Sequence, residues 1–146
     1  MKKVFITAFA GILCLFFSCD IAPEEINYGT DACSFCKMTI VDQKHASQYV
    51  TRKGKQFKFD AIECMVNEIS EKGIEDIGIL LVADFENPGN MVEAVKASYL
   101  ISEAIKSPMG ANLSGFASQK AADSTQKESG GMVYSWDELL HKFDAE

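Results

Sequence analysis

From Met38 onward, the chain carries two runs of mixed apolar and polar residues that predict strands. The first run is MTIVDQKHASQYVT and the second is KQFKFD. Both have the pattern of extended segments, and Arg52, Lys53 and Gly54 lie between them as a turn signal. The pattern therefore predicts two strands joined by a turn, with the first strand opening at Met38.

The next segment, DAIECMVNEISEKG, has the spacing of an amphipathic helix. One face of this helix collects the apolar residues Ile62, Met65, Val66 and Ile69. Asp60 stands at the N-cap position with Glu63 three residues later, which resembles a capping box, and Gly73 marks the end. The aliphatic run IGILLVADF then predicts a buried strand, which the polar segment ENPGN terminates.

The second half of the chain repeats this order of elements. MVEAVKASYLIS predicts a strand, SPMGANLSGFAS a glycine-rich loop and another strand, QKAADSTQKES a polar helix, and GGMVYSWDELL a strand with a short helical turn. The separation from Phe59 to Gly73 recurs from Phe116 to Gly130. We predict an α+β fold of two similar ββαβ units, residues 31–88 and 89–146, packed as one compact domain.

Residues 1–19, MKKVFITAFAGILCLFFSC, have the pattern of a secretory signal. Lys2 and Lys3 precede an uncharged stretch over residues 4–17, which is too short to span a bilayer. A small residue followed by Cys19 resembles the end of a bacterial lipoprotein signal, in which cleavage precedes the cysteine and the thiol is lipidated. The alternative is an ordinary secreted protein.

The segment DIAPEEINYGT is polar and acidic, and it lacks an apolar period. With residues 1–18 as the lipoprotein signal peptide, we expect residues 19–30 to form a lipid-anchored flexible tether. Acyl chains on Cys19 would hold the protein at a bacterial membrane. The expected location is therefore the cell envelope.

Loss of the signal makes the chain more acidic. Removal of Lys2 and Lys3 leaves 12 basic and 21 acidic residues, a net charge of −9. This charge argues against a nucleic-acid partner, which would need clustered Lys and Arg. Once Cys19 is lipidated, three cysteines remain, and an odd number is a poor framework for disulfides.

The segment TDACSFCKMTI holds three sulfurs within six residues. If Met38 opens a strand, Cys36 and Met38 present a thiol and a thioether on the same face, with Cys33 one turn away. Thiolate and thioether donors select Cu(I). The sequence has neither a second CxxC nor a histidine pair at zinc spacing, which argues against a structural zinc finger.

Several motifs together resemble the NosL family, the periplasmic lipoprotein copper chaperones linked to nitrous oxide reductase. The motifs are the lipoprotein-signal Cys19, Cys33-Ser34-Phe35-Cys36-Lys37-Met38, Phe59-Asp60 before a helix, LLVADF, Pro108-Met109-Gly110 and a closing strand with Trp136. The resemblance covers nearly the whole mature chain. It implies a non-enzymatic, periplasm-facing carrier that binds Cu(I) and delivers it to a multicopper enzyme, either nitrous oxide reductase or another copper enzyme.

The resemblance also implies a set of copper ligands. It makes Cys36 the thiolate ligand and Met109 a thioether ligand, with Met38 next. Cys33 stays open as a third ligand, a disulfide partner of Cys36 or a spectator, and His45 is a further candidate ligand. Cys64 is interpreted as a small buried core cysteine. Lys37 stands where the family commonly has Gly, and its side chain would point away from the sulfurs if this segment is a strand.

Two other functions fit parts of the pattern. One is an envelope thiol–disulfide protein that uses Cys33 and Cys36, although such motifs usually lie at a helix N-terminus and here a strand is predicted to follow. The other is a structural lipoprotein whose CxxC forms a disulfide. A hydrolase has little support, since no G-x-S-x-G motif is present.

Overall fold

The computed structural model describes residues 21–145 of the chain. Its elements, in chain order, are β1 (Ser47–Thr51), β2 (Gln56–Phe59), α1 (Ile62–Lys72), β3 (Ile77–Ala83), β4 (Met91–Glu93), a short 3-10 helix (Ala94–Lys96), β5 (Ser98–Ile101), β6 (Leu113–Phe116), α2 (Gln119–Ser129), β7 (Met132–Tyr134) and α3 (Trp136–Asp144).

These strands form two antiparallel sheets, one with the order β2-β1-β3-β4 and one with the order β6-β5-β7. The element order β1-β2-α1-β3 recurs as β5-β6-α2-β7, and the predicted α+β fold with two similar ββαβ units is confirmed. Helix α1 contacts β1 and β2 of the first sheet and β6 of the second. It therefore lies where the two sheets meet.

The apolar face predicted for α1 forms the centre of the core. Ile62, Met65 and Val66 are fully buried and Ile69 is almost so. They pack in one cluster with side chains from both sheets and from α3, among them Phe59, Tyr99, Leu113, Trp136 and Leu139. Each large apolar side chain buried in this way contributes about 1.5–3 kcal/mol. The helix thus joins the two halves by hydrophobic burial.

The prediction that the first strand opens at Met38 is wrong. Residues 31–40 form a tight hairpin with a single bridge between Ala32 and Thr39, and β1 begins only at Ser47. The Cys33 N–H donates to the Met38 carbonyl at 2.7 Å, and the Lys37 N–H donates to the Cys33 carbonyl at 3.0 Å. Lys37 has φ = 67°, a left-handed conformation that reverses the chain direction. Hydrophobic periodicity gives no sign of such a reversal.

The predicted capping role of Asp60 is also wrong. Ala61 is the N-cap of α1 and makes no side-chain capping bond. The Asp60 carboxylate instead accepts from the Val41 N–H at 3.3 Å, so it ties the cysteine hairpin's exit to the start of the helix. The end of α1 at Gly73 is confirmed, with the Gly73 N–H donating to the Ile69 carbonyl.

The run MVEAVKASYLIS is divided rather than continuous. Its first part is β4, which pairs with β3, and its last part is β5, which pairs with β6 and β7. The short 3-10 helix between them carries the chain from one sheet to the other. Because both parts are extended, the sequence pattern merges them into one strand.

Part of the predicted tether lies against β2. The Gln56 side chain donates to the Ala22 carbonyl at 2.9 Å and accepts from the Glu24 N–H, while Lys58 donates to the Glu25 carbonyl at 2.6 Å. We therefore keep the flexible tether as a prediction only for the residues before Ala22. The signal peptide over residues 1–18 lies outside the described residues. Among residues 21–145, no helix is long and apolar enough to cross a membrane.

Candidate metal centre

The CxxC motif lies at the tip of the hairpin over residues 31–40. Hydrogen bonds from the backbone N–H groups of Phe35 and Cys36 act to lower the pKa of the Cys33 thiol, and one from the Met38 N–H acts to lower the pKa of Cys36. Successive backbone N–H groups in a turn form a concave anion-binding nest. The left-handed Lys37 provides the turn geometry, a conformation that glycine adopts at lower cost than other residues. This hairpin can therefore hold sulfur in its anionic form.

A third sulfur joins the pair from the first turn of α1. The Sγ atoms of Cys33, Cys36 and Cys64 all lie within 4.8 Å of one another. Cys33 and Cys64 are buried, Cys36 is partly exposed, and all three are free thiols. The hairpin is held in place over the helix because the Ser34 N–H donates to the Lys58 carbonyl of β2 at 2.7 Å.

Cys64 is not among the metal ligands predicted from the sequence. Helical periodicity places it among apolar residues, and this is correct, since it is buried in the core. The sequence distance from Cys64 to the CxxC motif matches no ligand spacing. The one available signal was the odd number of cysteines that would remain under the predicted lipidation of Cys19, because a three-thiol site needs no disulfide pairing.

The three thiols of the cluster change one another's pKa values. A hydrogen bond from the Cys64 thiol lowers the pKa of Cys33 from 9.0 to about 5, against the effect of burial and with help from the N–H groups of Asp60, Cys36 and Phe35. The same bond and burial raise the pKa of Cys64 far above its ordinary value. Burial raises the pKa of Cys36. At neutral pH the cluster therefore carries a thiolate at Cys33 and thiols at the other two positions.

The cluster fits a soft cation. Three sulfurs up to 4.8 Å apart lie within about 2.8 Å of their common centre, close to the ~2.3 Å of a metal–thiolate bond. A small contraction would bring all three to bonding distance. Three thiolate donors suit Cu(I), whereas a structural Zn(II) site takes four ligands. The partly exposed Cys36 leaves one side of the site open to another donor.

The two predicted thioether ligands lie at exposed positions. Met38 directly follows the left-handed Lys37, and its side chain is 53% exposed. Met109 is 41% exposed in the turn formed by residues 107–110, in which the Gly110 N–H donates to the Ser107 carbonyl at 3.2 Å. Because both thioethers face solvent rather than fill the core, both are available to a metal or a partner. Their roles as ligands remain predictions.

The Met109 loop is fastened to the first turn of α1. Oε1 of Glu63 accepts from the Ser107 hydroxyl and, at 3.3 Å, from the Ala111 N–H. Glu63 directly precedes Cys64, so the loop and the third sulfur share one helical turn.

His45 takes no part in the described cluster. His45 is 3% exposed, with Nδ1 2.9 Å from Asp42 Oδ2 and Nε2 3.2 Å from Ser114 Oγ. A ligand role for His45 would therefore require the loss of one of these contacts. Cys19, the predicted lipidation site, lies outside the described residues.

Comparisons with known proteins agree with this architecture. The crystal structure of the copper chaperone NosL from Shewanella denitrificans is similar, with a TM-score of 0.72 at 19% sequence identity, over 82% of this chain and 96% of that one. No curated protein matches the sequence. The family model of NosL matches residues 25–143, which include the cysteine hairpin, α1 and the Met109 loop. The chain therefore belongs to the NosL family.

Proposed function

We propose that this protein binds one Cu(I) ion through Cys33, Cys36 and Cys64 and delivers it to a copper enzyme. The observation that carries the proposal is the approach of three thiol sulfurs to within 4.8 Å of one another in a member of the NosL family. A similar solved structure is named as a copper chaperone. Copper is the cargo here, and the protein acts as a carrier rather than an enzyme.

The order of burial supports a directional release of the ion. Cys33 and Cys64 are each 1% exposed, whereas Cys36, Met38 and Met109 lie nearer to solvent. We propose Met38 and Met109 as neutral thioether ligands on this open side. A ligand of the acceptor can then bind the ion before the buried thiolates leave. Copper remains Cu(I) throughout, and each thiol that loses a proton on binding regains it from solvent after transfer.

The proposed setting follows from the N-terminal sequence and the family. We propose that Cys19 is lipidated, that the protein is anchored to a bacterial membrane and that its folded part faces the periplasm. The proposed acceptor is nitrous oxide reductase or another copper enzyme. Deletion of this gene is expected to lower the copper content of purified nitrous oxide reductase. An unchanged copper content would exclude that enzyme as the acceptor.

An anaerobic titration against a chromophoric Cu(I) chelator tests the binding site. We expect one Cu(I) per chain, and at least a tenfold loss of affinity in Cys36→Ser. Met109→Leu removes the proposed thioether ligand. Met132→Leu is its matched control, because Met132 is 62% exposed on β7 and lies outside the proposed site. A wild-type protein that fails to compete with the chelator would refute the proposal.

A thiol–disulfide activity is the second candidate function. The low pKa of Cys33, about 5, is typical of reactive redox cysteines. However, Cys33 is 1% exposed, so a protein disulfide has no access to the thiolate. We therefore expect the protein to reduce a disulfide substrate no faster than a free thiol does. A faster, Cys33-dependent reduction would favour the redox function.

A further inference from the structure

Glu63 is a buried carboxylate in the first turn of α1. It is 2% exposed, and its Oε1 accepts from the Ser107 hydroxyl and the Ala111 N–H. Its Oε2 is buried and has no hydrogen-bond partner among the described residues. The positive end of the helix dipole favours a carboxylate at this position. Burial of an unsatisfied polar atom is nevertheless costly, so packing alone does not account for this residue.

The two groups that Glu63 binds lie on either side of Met109. Ser107 opens the turn and Ala111 follows it, while the Ser107 hydroxyl also accepts from the Asn112 N–H at 2.8 Å. Pro108 pre-sets the backbone at the second position of the turn. The turn therefore has fixed ends at one carboxylate oxygen, and only its apex projects into solvent.

The geometry points to Glu63 as the positioning residue that holds the Met109 loop against the helical turn carrying Cys64, so that the thioether can reach the copper site. This inference rests on the proposed function. Glu63 and Cys64 are adjacent in the chain, about 3.8 Å apart at Cα. A loop bound to Glu63 is therefore held at the same helical turn that carries Cys64. Without the two hydrogen bonds the loop would sample many positions, and the thioether would be lost as a ligand.

The test compares Cu(I) affinity of Glu63→Ala in two backgrounds, wild type and Met109→Leu. In the wild-type background we expect about a tenfold loss, the usual effect of a group that orients a metal ligand. In the Met109→Leu background we expect less than a twofold further loss. Glu63→Gln keeps a carbonyl oxygen for Ser107 and Ala111, and we expect it to retain most of the affinity.

Glu68 provides the matched control on the same helix. It is 3% exposed, but its partners are Lys72 at 2.6 Å and Tyr49 at 3.4 Å, away from the loop. Glu68→Ala is expected to change the affinity less than twofold. X-ray absorption of the copper-loaded protein should show one sulfur neighbour fewer in Glu63→Ala than in Glu68→Ala.

Several results would overturn the inference. Equal losses from Glu63→Ala in both backgrounds, or no loss in either, would show that Glu63 does not act through Met109. A Met109→Leu variant with wild-type affinity would overturn it while leaving the cysteine site intact, whereas a wild type that binds no Cu(I) would refute the proposed function as well. If Glu63→Ala does not fold, Ser107→Ala replaces it in the same comparison, because it removes the loop's hydroxyl donor and leaves Glu63 in place.

Discussion

Replacement of Cys64 separates two contributions that its thiol makes to the sulfur cluster. One is the sulfur proposed as a copper ligand, and the other is a hydrogen bond to the Cys33 thiolate. Cys64→Ala removes both contributions. Cys64→Ser removes the sulfur but keeps a hydroxyl that can donate to Cys33. The difference between the two variants therefore measures the hydrogen bond alone.

The size of the difference follows from the pKa of Cys33. The hydrogen bond from Cys64 is the largest cause that lowers this pKa from 9.0 to about 5. If the pKa returned fully to 9.0, only about 1% of Cys33 would be thiolate at pH 7, and Cu(I) would bind about 100-fold more weakly, at a cost of about 2.7 kcal/mol. The backbone N–H donors remain in Cys64→Ala, so about 100-fold is the upper limit.

The pKa of Cys33 also fixes the direction in which the relative Cu(I) affinity of the two variants changes with pH. With a pKa of about 5, Cys33 is already a thiolate above that pH and costs no further deprotonation. In Cys64→Ala the proton competes with copper until the pH passes the raised pKa. We therefore expect the affinity ratio of Cys64→Ser to Cys64→Ala to increase as the pH falls from about 9 toward about 5, and to approach one only above about pH 9. Protons bound elsewhere affect both variants and cancel in the ratio.

Anaerobic competition against a chromophoric Cu(I) chelator over this pH range measures the ratio. Ultraviolet absorbance of thiolate in the copper-free variants reports the pKa of Cys33 directly. Wild-type affinity in Cys64→Ser would show that Cys64 is not a ligand. Identical affinities of the two variants near neutral pH would show that Cys64 does not hold Cys33 as a thiolate.

The remaining predictions concern stability and redox state. Folding lowers the pKa of Cys33, so the Cys33 thiolate stabilises the copper-free protein above the ordinary pKa of the thiol, and this stabilisation is lost as the pH falls through about 5. Urea unfolding should show this loss of stability in the wild type and a smaller loss in Cys33→Ser. Lys37→Gly should raise the free energy of unfolding by about 1 kcal/mol, since Lys37 has φ = 67°, and an unchanged urea midpoint would contradict this. Ser135→Ala removes the capping box with Glu138 at the start of α3 and should lower the free energy of unfolding by about 1 kcal/mol. Thermal unfolding measures this loss, with Ser129→Ala at the C-terminal end of α2 as the control variant. Oxidation that joins Cys33 to Cys36 should abolish Cu(I) binding until a thiol reductant restores it, and equal affinities before and after reduction would refute the proposed thiolate ligands.

The sequence predicted the elements that depend on local pattern. The apolar face of α1, its end at Gly73 and the polar helix α2 follow from periodicity and glycine position, because these features stabilise a helix wherever it packs. The CxxC motif likewise drew attention to Cys33 and Cys36. The prediction of a strand from Met38 failed because a single left-handed residue, Lys37, redirects the backbone without a change in hydrophobic pattern.

The sequence by itself determined the α+β order of elements, the acidic charge and a pair of soft sulfur donors. Only the tertiary structure brought Cys64 to that pair and fastened the Met109 loop to the same helical turn through Glu63. These contacts join residues far apart in the chain, and the packing of α1 between the two sheets creates them. Local spacing cannot encode such contacts, because their energy comes from burial of the whole core rather than from neighbouring residues.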